Sequence, residues 1–512
     1  MLFAARRPLL LASLATSALC GLGASPQPAE AQAPAAAATN YDQLDPIFAD
    51  YQREKNIPGL VYGVVVDGRL AHVRSFGVQD LKARRPVTPD TLFRIASMTK
   101  AFTALALLSL RDRGRLSLDS PAEAYVPELK GWRYPTADSP RIRVRDLLHH
   151  VAGFVTDDPW GDRQTPMPEA EFTRLLRAGI PFNRPPGLQM EYSNFGYALL
   201  GRVVANVSGR SYRSYIERTL LEPLGMRSSG FEVGEWPLER RAIGYRWENG
   251  RWSEEPTMRH GAFGAIGGLQ TSAGDYARYV AWLLSAWPPR DEADQGPVRR
   301  STVRELVQGS NFAEHRERML PDGRPCRQTM SYGMGMRVFI DCELGTVLNH
   351  GGGYPGYGSG VLLLPDRGVG LFVLGNRTYG GGSEALWRAA SALNKAGLLP
   401  GRPSPVSPAL AEAYAAARLA YRRGDVMTIR EKLADNFLMD RSAADWSRDL
   451  AAIKSRVGAC ERDMPVYARG AMSADFRWLC ERGTLDGEIL LAPTTPTTIQ
   501  HLRLTVAPPS PG

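Results

Sequence analysis

The chain has 512 residues, 44% of them hydrophobic and 22% charged, with a net charge of +9. That composition excludes a disordered or fibrous chain, and the length suits a large catalytic unit plus a smaller one. The basic residues are scattered rather than run together, which argues against a nucleic acid partner.

In chain order, residues 1–31 stand apart. Arg6 and Arg7 precede the apolar run Pro8 to Leu22, and Ala29-Glu30-Ala31 offers small residues for cleavage. This is the pattern of a secretory signal peptide, so a periplasmic or secreted protein is expected. No later stretch is long and apolar enough to span a bilayer, so no stable membrane insertion is expected. Of the 5 cysteines, Cys20 falls in the leader, and Cys326, Cys342, Cys460 and Cys480 remain. An even number in an exported chain suggests disulfides. Local pairing, Cys326–Cys342 and Cys460–Cys480, keeps each bridge inside one expected domain. No C-x-x-C or H-E-x-x-H spacing occurs, so neither a metal nor a cofactor is expected.

Tyr41–Lys55 has the spacing of an amphipathic helix. Leu60–Val66 and Leu70–Phe76, joined by Asp67-Gly68, read as a hairpin. The stretch from Phe93 to Leu108 reads as a helix carrying Ser97 and Lys100 in its first turn, ending near Arg113-Gly114. Residues three apart share a helical face, so this hydroxyl and amine can meet. A serine becomes a good nucleophile only when a neighbour takes its proton, and lysine can be that neighbour. Val144–His150 reads as a helix turning at Gly153.

A Pro-rich loop, Pro181 to Gly187, delivers Glu191-Tyr192-Ser193-Asn194 to a helix from Phe195 to Val207, with Asn194 as its natural N-cap. The Gly-rich run Gly261–Ser272 leads into a helix, Ala273–Ser285. Met334–Ile340 and Thr346–Asn349 read as strands before His350-Gly351-Gly352-Gly353, with further strands at Gly360–Leu364 and Val369–Leu374. A helix at Glu384–Lys395 stops at Gly397. Four prolines between Leu399 and Pro408 mark a stiff linker. Helices at Ala409–Arg423, Val426–Phe437 and Asp445–Val457, then four short alternating segments, suggest a small α+β unit.

Ser97-Met98-Thr99-Lys100, Tyr192-Ser193-Asn194 and His350-Gly351-Gly352 occur in that order at wide spacing. With Leu147–Gly153 and Gly267–Ser272, the set resembles the serine β-lactamase and penicillin-binding-protein superfamily. The nearest branch holds class C β-lactamases, serine D-peptidases and β-lactamase-like esterases. The resemblance implies an α/β (α+β) fold: an antiparallel sheet flanked by helices, with a mainly helical subdomain. The expected layout is a signal peptide (1–31), a β-lactamase-like serine hydrolase domain (40–397), the linker (398–408) and the small C-terminal α+β domain (409–512).

By the same resemblance Ser97 is acylated, and Lys100 and Tyr192 move its proton. His350 completes the catalytic set. The backbone N–H groups of Ser97 and Gly353 form the oxyanion hole, and Asn194, Gly351 and Gly352 meet the substrate. Class C β-lactamases usually carry lysine where this chain has His350. That lowers the expectation of a β-lactamase and leaves an ester- or amide-cleaving, acyl-enzyme hydrolase of the esterase or D-amino-acid peptidase type. A β-lactamase, or a non-catalytic penicillin-recognising or wall-binding protein, stands as the alternative. The partner is a small-molecule or peptide substrate, and the oligomeric state is left open. His350 is expected to act neutral, with a titration limb between about pH 5.5 and 7.5. Trp132, Tyr134, Trp160, Tyr354 and Tyr357 read equally as pocket lining or packing.

Overall fold

The computed structural model describes residues 41–156, 159–320, 322–401, 404–460, 462–463 and 465–507. The expected signal peptide, residues 1–31, lies outside the described residues.

In chain order the first elements are α1 (Asp45–Glu54), β1 (Gly59–Val66), β2 (Arg69–Asp80), β3 (Arg85–Pro86), β4 (Phe93–Arg94) and α2 (Thr99–Asp112). A largely helical stretch follows: α3 (Val144–Leu148), α4 (Glu169–Ala178), α5 (Asn194–Ser208) and α6 (Tyr212–Ile216). Next come β5 (Tyr245–Glu248), β6 (Arg251–Glu254), α7 (Gly264–Gly267), β7 (Gln270–Thr271), α8 (Ala273–Leu284) and α9 (Arg300–Glu305). The chain then returns to strands, β8 (Phe312–Met319), β9 (Pro325–Tyr332), β10 (Arg337–Asp341), β11 (Gly345–Tyr354), β12 (Tyr357–Leu364) and β13 (Val369–Gly375), and closes with α10 (Ser383–Lys395).

One nine-stranded antiparallel sheet runs β3-β2-β1-β13-β12-β11-β10-β9-β8. β1 pairs with β13, so the two ends of this stretch share the sheet. Side chains alternate across a strand, and the buried residues obey that parity. Leu60, Tyr62 and Val64 join Phe48 of α1 and Leu386 of α10 in one core. Val61 and Val65 join Phe102 of α2 and Val280 of α8 in the other. Helices therefore cover both faces, which explains the unbroken apolar run of β1. Gly63 is required where the layers meet, since a Cβ there would lie 2.4 Å from the Phe372 ring.

One sequence expectation changes here. Phe93–Arg94 is not the start of the Ser97 helix but a short strand paired with β7. His350–Gly353 lies within β11, paired with β12 as far as Tyr354. β8 forms the exposed edge of the sheet, and β9 beside it alternates exposed and more buried residues.

Beyond α10 come α11 (Pro408–Arg423), α12 (Ala443–Val457), β14 (Arg462–Asp463), β15 (Tyr467–Gly470), β16 (Ser473–Cys480), β17 (Gly483–Ala492) and β18 (Thr498–Val506). The expected helix at Val426–Phe437 is a short 3-10 turn, Val426–Lys432. These strands form a second antiparallel sheet, β14-β16-β17-β18, with β15 beside β16. Its core of Tyr421, Trp446, Phe476, Trp478 and Ile489 shares no residue with the cores of the larger sheet. Disulfides join Cys326 to Cys342 and Cys460 to Cys480. No helix among the described residues is long and apolar enough to cross a membrane.

Candidate active site

Ser97 sits in a 3-10 turn, Ala96–Met98, just before α2. Ala96 has φ +50°, a left-handed conformation that costs a non-glycine residue about 1–2 kcal/mol. The turn is held from several sides. Ile95 N donates to Leu269 O at 3.0 Å, and Ser359 Oγ of β12 donates to Ile95 O at 2.8 Å. Gly352 of β11 closes the contact, because a Cβ there would stand 2.4 Å from Ile95 O. Gly352 is thus glycine for the sake of this packing. Added Cβ atoms at Gly351 and Gly353 would instead meet Ser383 and Tyr379. A strained, over-determined backbone at the nucleophile is a common feature of functional sites.

Lys100 lies one turn along, fully buried. Its ammonium donates to Ser97 Oγ at 3.1 Å, Asn194 Oδ1 at 2.8 Å and Ile266 O at 2.8 Å. The three N–H donors of a lysine are thereby used. The same nitrogen stands 5.0 Å from the centroid of the Tyr192 ring and 5.6 Å from that of Tyr197. The Tyr192 hydroxyl is buried and has no hydrogen-bond partner among the described residues. A hydroxyl so placed costs about 1–3 kcal/mol, so an unpartnered one on a ring 5.0 Å from the Lys100 nitrogen is a feature of the site rather than of the core.

Ser193, not Asn194, caps α5: its Oγ accepts from Gly196 N. Asn194 becomes the first helical residue, and its amide oxygen accepts the hydrogen bond from Lys100. The Tyr192 segment is clamped by His150, at φ +57°. Glu191 N donates to His150 O at 2.8 Å, and Ser193 N donates to His150 Nδ1 at 3.0 Å. Two hydrogen bonds to one histidine thus bracket Tyr192, and the rings lie 4.3 Å apart. An imidazole that accepts at Nδ1 is neutral and carries its one proton on Nε2. Burial and the Lys100 charge hold its pKa well below the ordinary histidine value.

His350 is buried on β11, its ring 6.2 Å from that of Tyr192. Nδ1 donates to Gly351 O at 2.6 Å, and Nε2 accepts from the Tyr332 hydroxyl at 2.9 Å. Both nitrogens are occupied, and the ring is neutral. Burial, then Arg337 and Lys100, push its pKa down to about 3. This overturns the expected limb between pH 5.5 and 7.5.

Four of the expected residues therefore converge, with Lys100 bonded to Ser97 and Asn194 and lying over Tyr192, while His350 stands one ring away. The aromatics are mostly packing. Trp132 and Tyr354 are buried, Trp132 Nε1 donates to Leu176 O, and the Tyr357 hydroxyl donates to Ala242 O. Trp160 is part-exposed against Phe195. Sequence reasoning missed the roles of His150 and Tyr332, and missed Asp162. Leu147–Gly153 was the one signal for His150. Among the described residues, one group suited to a metal comes together, Asp42, Asp45 and His72. Asp45 is already engaged by Tyr62, His72 and Arg74.

Comparison with known proteins gives one family model, Beta-lactamase, matching residues 44–394. Protein flp of Staphylococcus aureus (strain COL) is 28% identical over 340 residues, 65% of this chain and 62% of that protein. The chain thus aligns with under two thirds of the length of these first relatives. Esterase EstB of Burkholderia gladioli is 33% identical over 215 residues, 40% of this chain and 54% of EstB. Among solved structures, an octameric penicillin-binding protein homologue from Pyrococcus abyssi matches with TM-score 0.57 at 21% identity, covering 91% of this chain and 100% of that one. A class C β-lactamase matches with TM-score 0.55 at 22% identity, covering 70% and 96%.

Proposed function

Because the chain belongs to the beta-lactamase family, we propose that it is an exported serine hydrolase that cleaves esters through an acyl-enzyme on Ser97. The observation that carries this is the Lys100 ammonium bonded at once to Ser97 Oγ and Asn194 Oδ1 and 5.0 Å from the centroid of the Tyr192 ring, whose hydroxyl has no partner among the described residues. Ser97 Oγ attacks the carbonyl carbon, and its proton passes through the Tyr192 and Lys100 pair. The oxyanion is taken by the N–H groups of Ser97 and Gly353, a reading supported by the packing of β11 against the turn that carries Ser97. The leaving group receives the proton, and water releases the acyl group by the reverse route. His150 and His350 act as neutral props, the first for the Tyr192 segment, the second tying β11 to Tyr332 of β9.

An ester is favoured because His350 brings no positive charge for a substrate carboxylate, and because the chain is similar to an esterase. A second reading has its own support. Arg337 stands near enough to His350 to depress its pKa, so a cation remains at this end for a D-peptide carboxylate. The test is a turnover screen of the purified protein on p-nitrophenyl esters, D-alanyl-D-alanine peptides, D-amino-acid amides and nitrocefin. Esters are expected to turn over fastest. Preferred cleavage of the peptides would select the second reading, and preferred nitrocefin cleavage would reject both.

A further inference from the structure

Asp162 opens the short turn Asp162–Gln164, which packs against β11, the strand bearing His350 and Gly353. Its Oδ1 is shielded from solvent without a hydrogen-bond partner. Its own backbone N–H is the one group hydrogen-bonded to the carboxylate among the described residues. The adjacent cation does not neutralise it: Arg163 turns instead to Glu255, at 3.1 Å. Lys100 is close enough for its charge to act on Asp162, but it spends its donors on Ser97, Asn194 and Ile266. Burial raises the Asp162 carboxyl to about 6, so it is anionic at pH 7 and above.

β11 also has an open edge here. Its pairing with β10 ends at Asn349, while its pairing with β12 continues to Tyr354. An acyl group on Ser97 can lie along that free edge, as an added strand does. Such a group runs past the turn that carries Asp162. Asp162 is part-exposed as a residue, but a carboxylate with one oxygen shielded from water and no counter-ion in contact is costly unless something supplies the positive charge.

Resting on the serine-hydrolase reading of Ser97, we infer that Asp162 is a specificity-determining residue that selects substrates whose acyl part carries an ammonium group. The occupant is an aminoacyl ester or amide, its ammonium placed against the carboxylate.

The test uses two nearly isosteric esters on the whole protein at pH 7, p-nitrophenyl alaninate in both enantiomers and p-nitrophenyl isobutyrate. The first carries an ammonium where the second carries a methyl. In the wild type, the alaninate-to-isobutyrate ratio of kcat/KM is expected to exceed the ratio of their hydroxide-catalysed hydrolysis by roughly tenfold or more, for at least one enantiomer. Asp162→Asn is expected to remove that excess while leaving isobutyrate turnover within about threefold. A wild-type ratio no larger than the chemical one overturns the inference, whatever the variant does. An excess that survives Asp162→Asn, or an equal fall for both esters, also overturns it. A wild type that turns over neither ester overturns the hydrolase reading as well, which separates the two failures.

Discussion

In the nine-stranded sheet, Asn349, His350 and Ser359 are buried, and the helix beside them buries Lys100. In the five-stranded sheet, the charged groups stay outside: Arg477 pairs with Asp486, and Glu488 with Arg469 and Arg503, on part-exposed surface. Both sheets have aromatic cores, disulfides and well-capped helices. They differ in where each keeps its polar groups. Removing a polar group from water costs free energy unless its partners are fixed, so a buried basic cluster marks a region shaped for something besides stability. His350 on the larger sheet, and His149, His150 and His260 on the segments between its strands, have pKa values lowered by burial. The described part of the smaller unit holds one, His501, and it is exposed.

The largest expected effect comes from Tyr192, whose ring lies 5.0 Å from the Lys100 nitrogen and whose hydroxyl has no partner among the described residues. Tyr192→Phe should lower kcat/KM for a small neutral ester by about 10²–10⁴-fold, the usual range for losing a general base. A change of less than about threefold would mean that proton transfer does not pass through Tyr192. His150→Ala should act more weakly, on the order of tenfold in kcat, by loosening the Tyr192 segment. His150→Asn, which keeps an acceptor, should recover part of the loss. Equal losses in the two variants would deny the clamp.

Between pH 7 and pH 5, acid should act first on the larger sheet, since Glu488 of the smaller sheet, with its lowered pKa, responds only at lower pH. His350 is neutral when folded, with a pKa of about 3, and returns to an ordinary value near 6.5 when unfolded. The unfolded chain therefore binds protons first. This stability is fully present above about pH 6.5 and is lost as pH falls towards the folded pKa. Each such histidine adds about 1.4 kcal/mol per pH unit within its window. Hydrogen exchange at pH 7 and pH 5 should show protection falling around β11 and α3 and holding in β16–β18. Uniform loss would erase the distinction between the sheets.

At the small end, Arg477→Ala should cost less than about 1 kcal/mol, as exposed ion pairs do. A chain ending at Gly401 should retain activity on small esters within about threefold, since no residue of the catalytic cluster lies beyond it. Insoluble protein, or lost activity, would join the two units after all.

Much of this was legible beforehand because helical spacing and motif order are local properties. Ser97 and Lys100 had to share a face, and the apolar run Leu60–Val66 with Asp67-Gly68 after it announced the first strand of a hairpin. The state of His350 was not legible, because its pKa follows from burial and from Arg337 and Lys100, which topology alone brings near. Asp162 gave no signal, since its neighbours in sequence are ordinary and its environment comes from β11 and α2. Gly352 is expected from sequence to meet the substrate, yet its place is also fixed by the carbonyl of Ile95, more than two hundred positions away. β8 was hidden because an exposed edge strand has little need of apolar residues.

The most direct test of an acyl-enzyme on Ser97 is peptide mass spectrometry after exposure to a fluorophosphonate. The wild type should carry a single adduct, on the peptide containing Ser97. Ser97→Ala should carry none, with an unchanged circular dichroism spectrum. An adduct on another serine, or labelling that persists in Ser97→Ala, would contradict the mechanism.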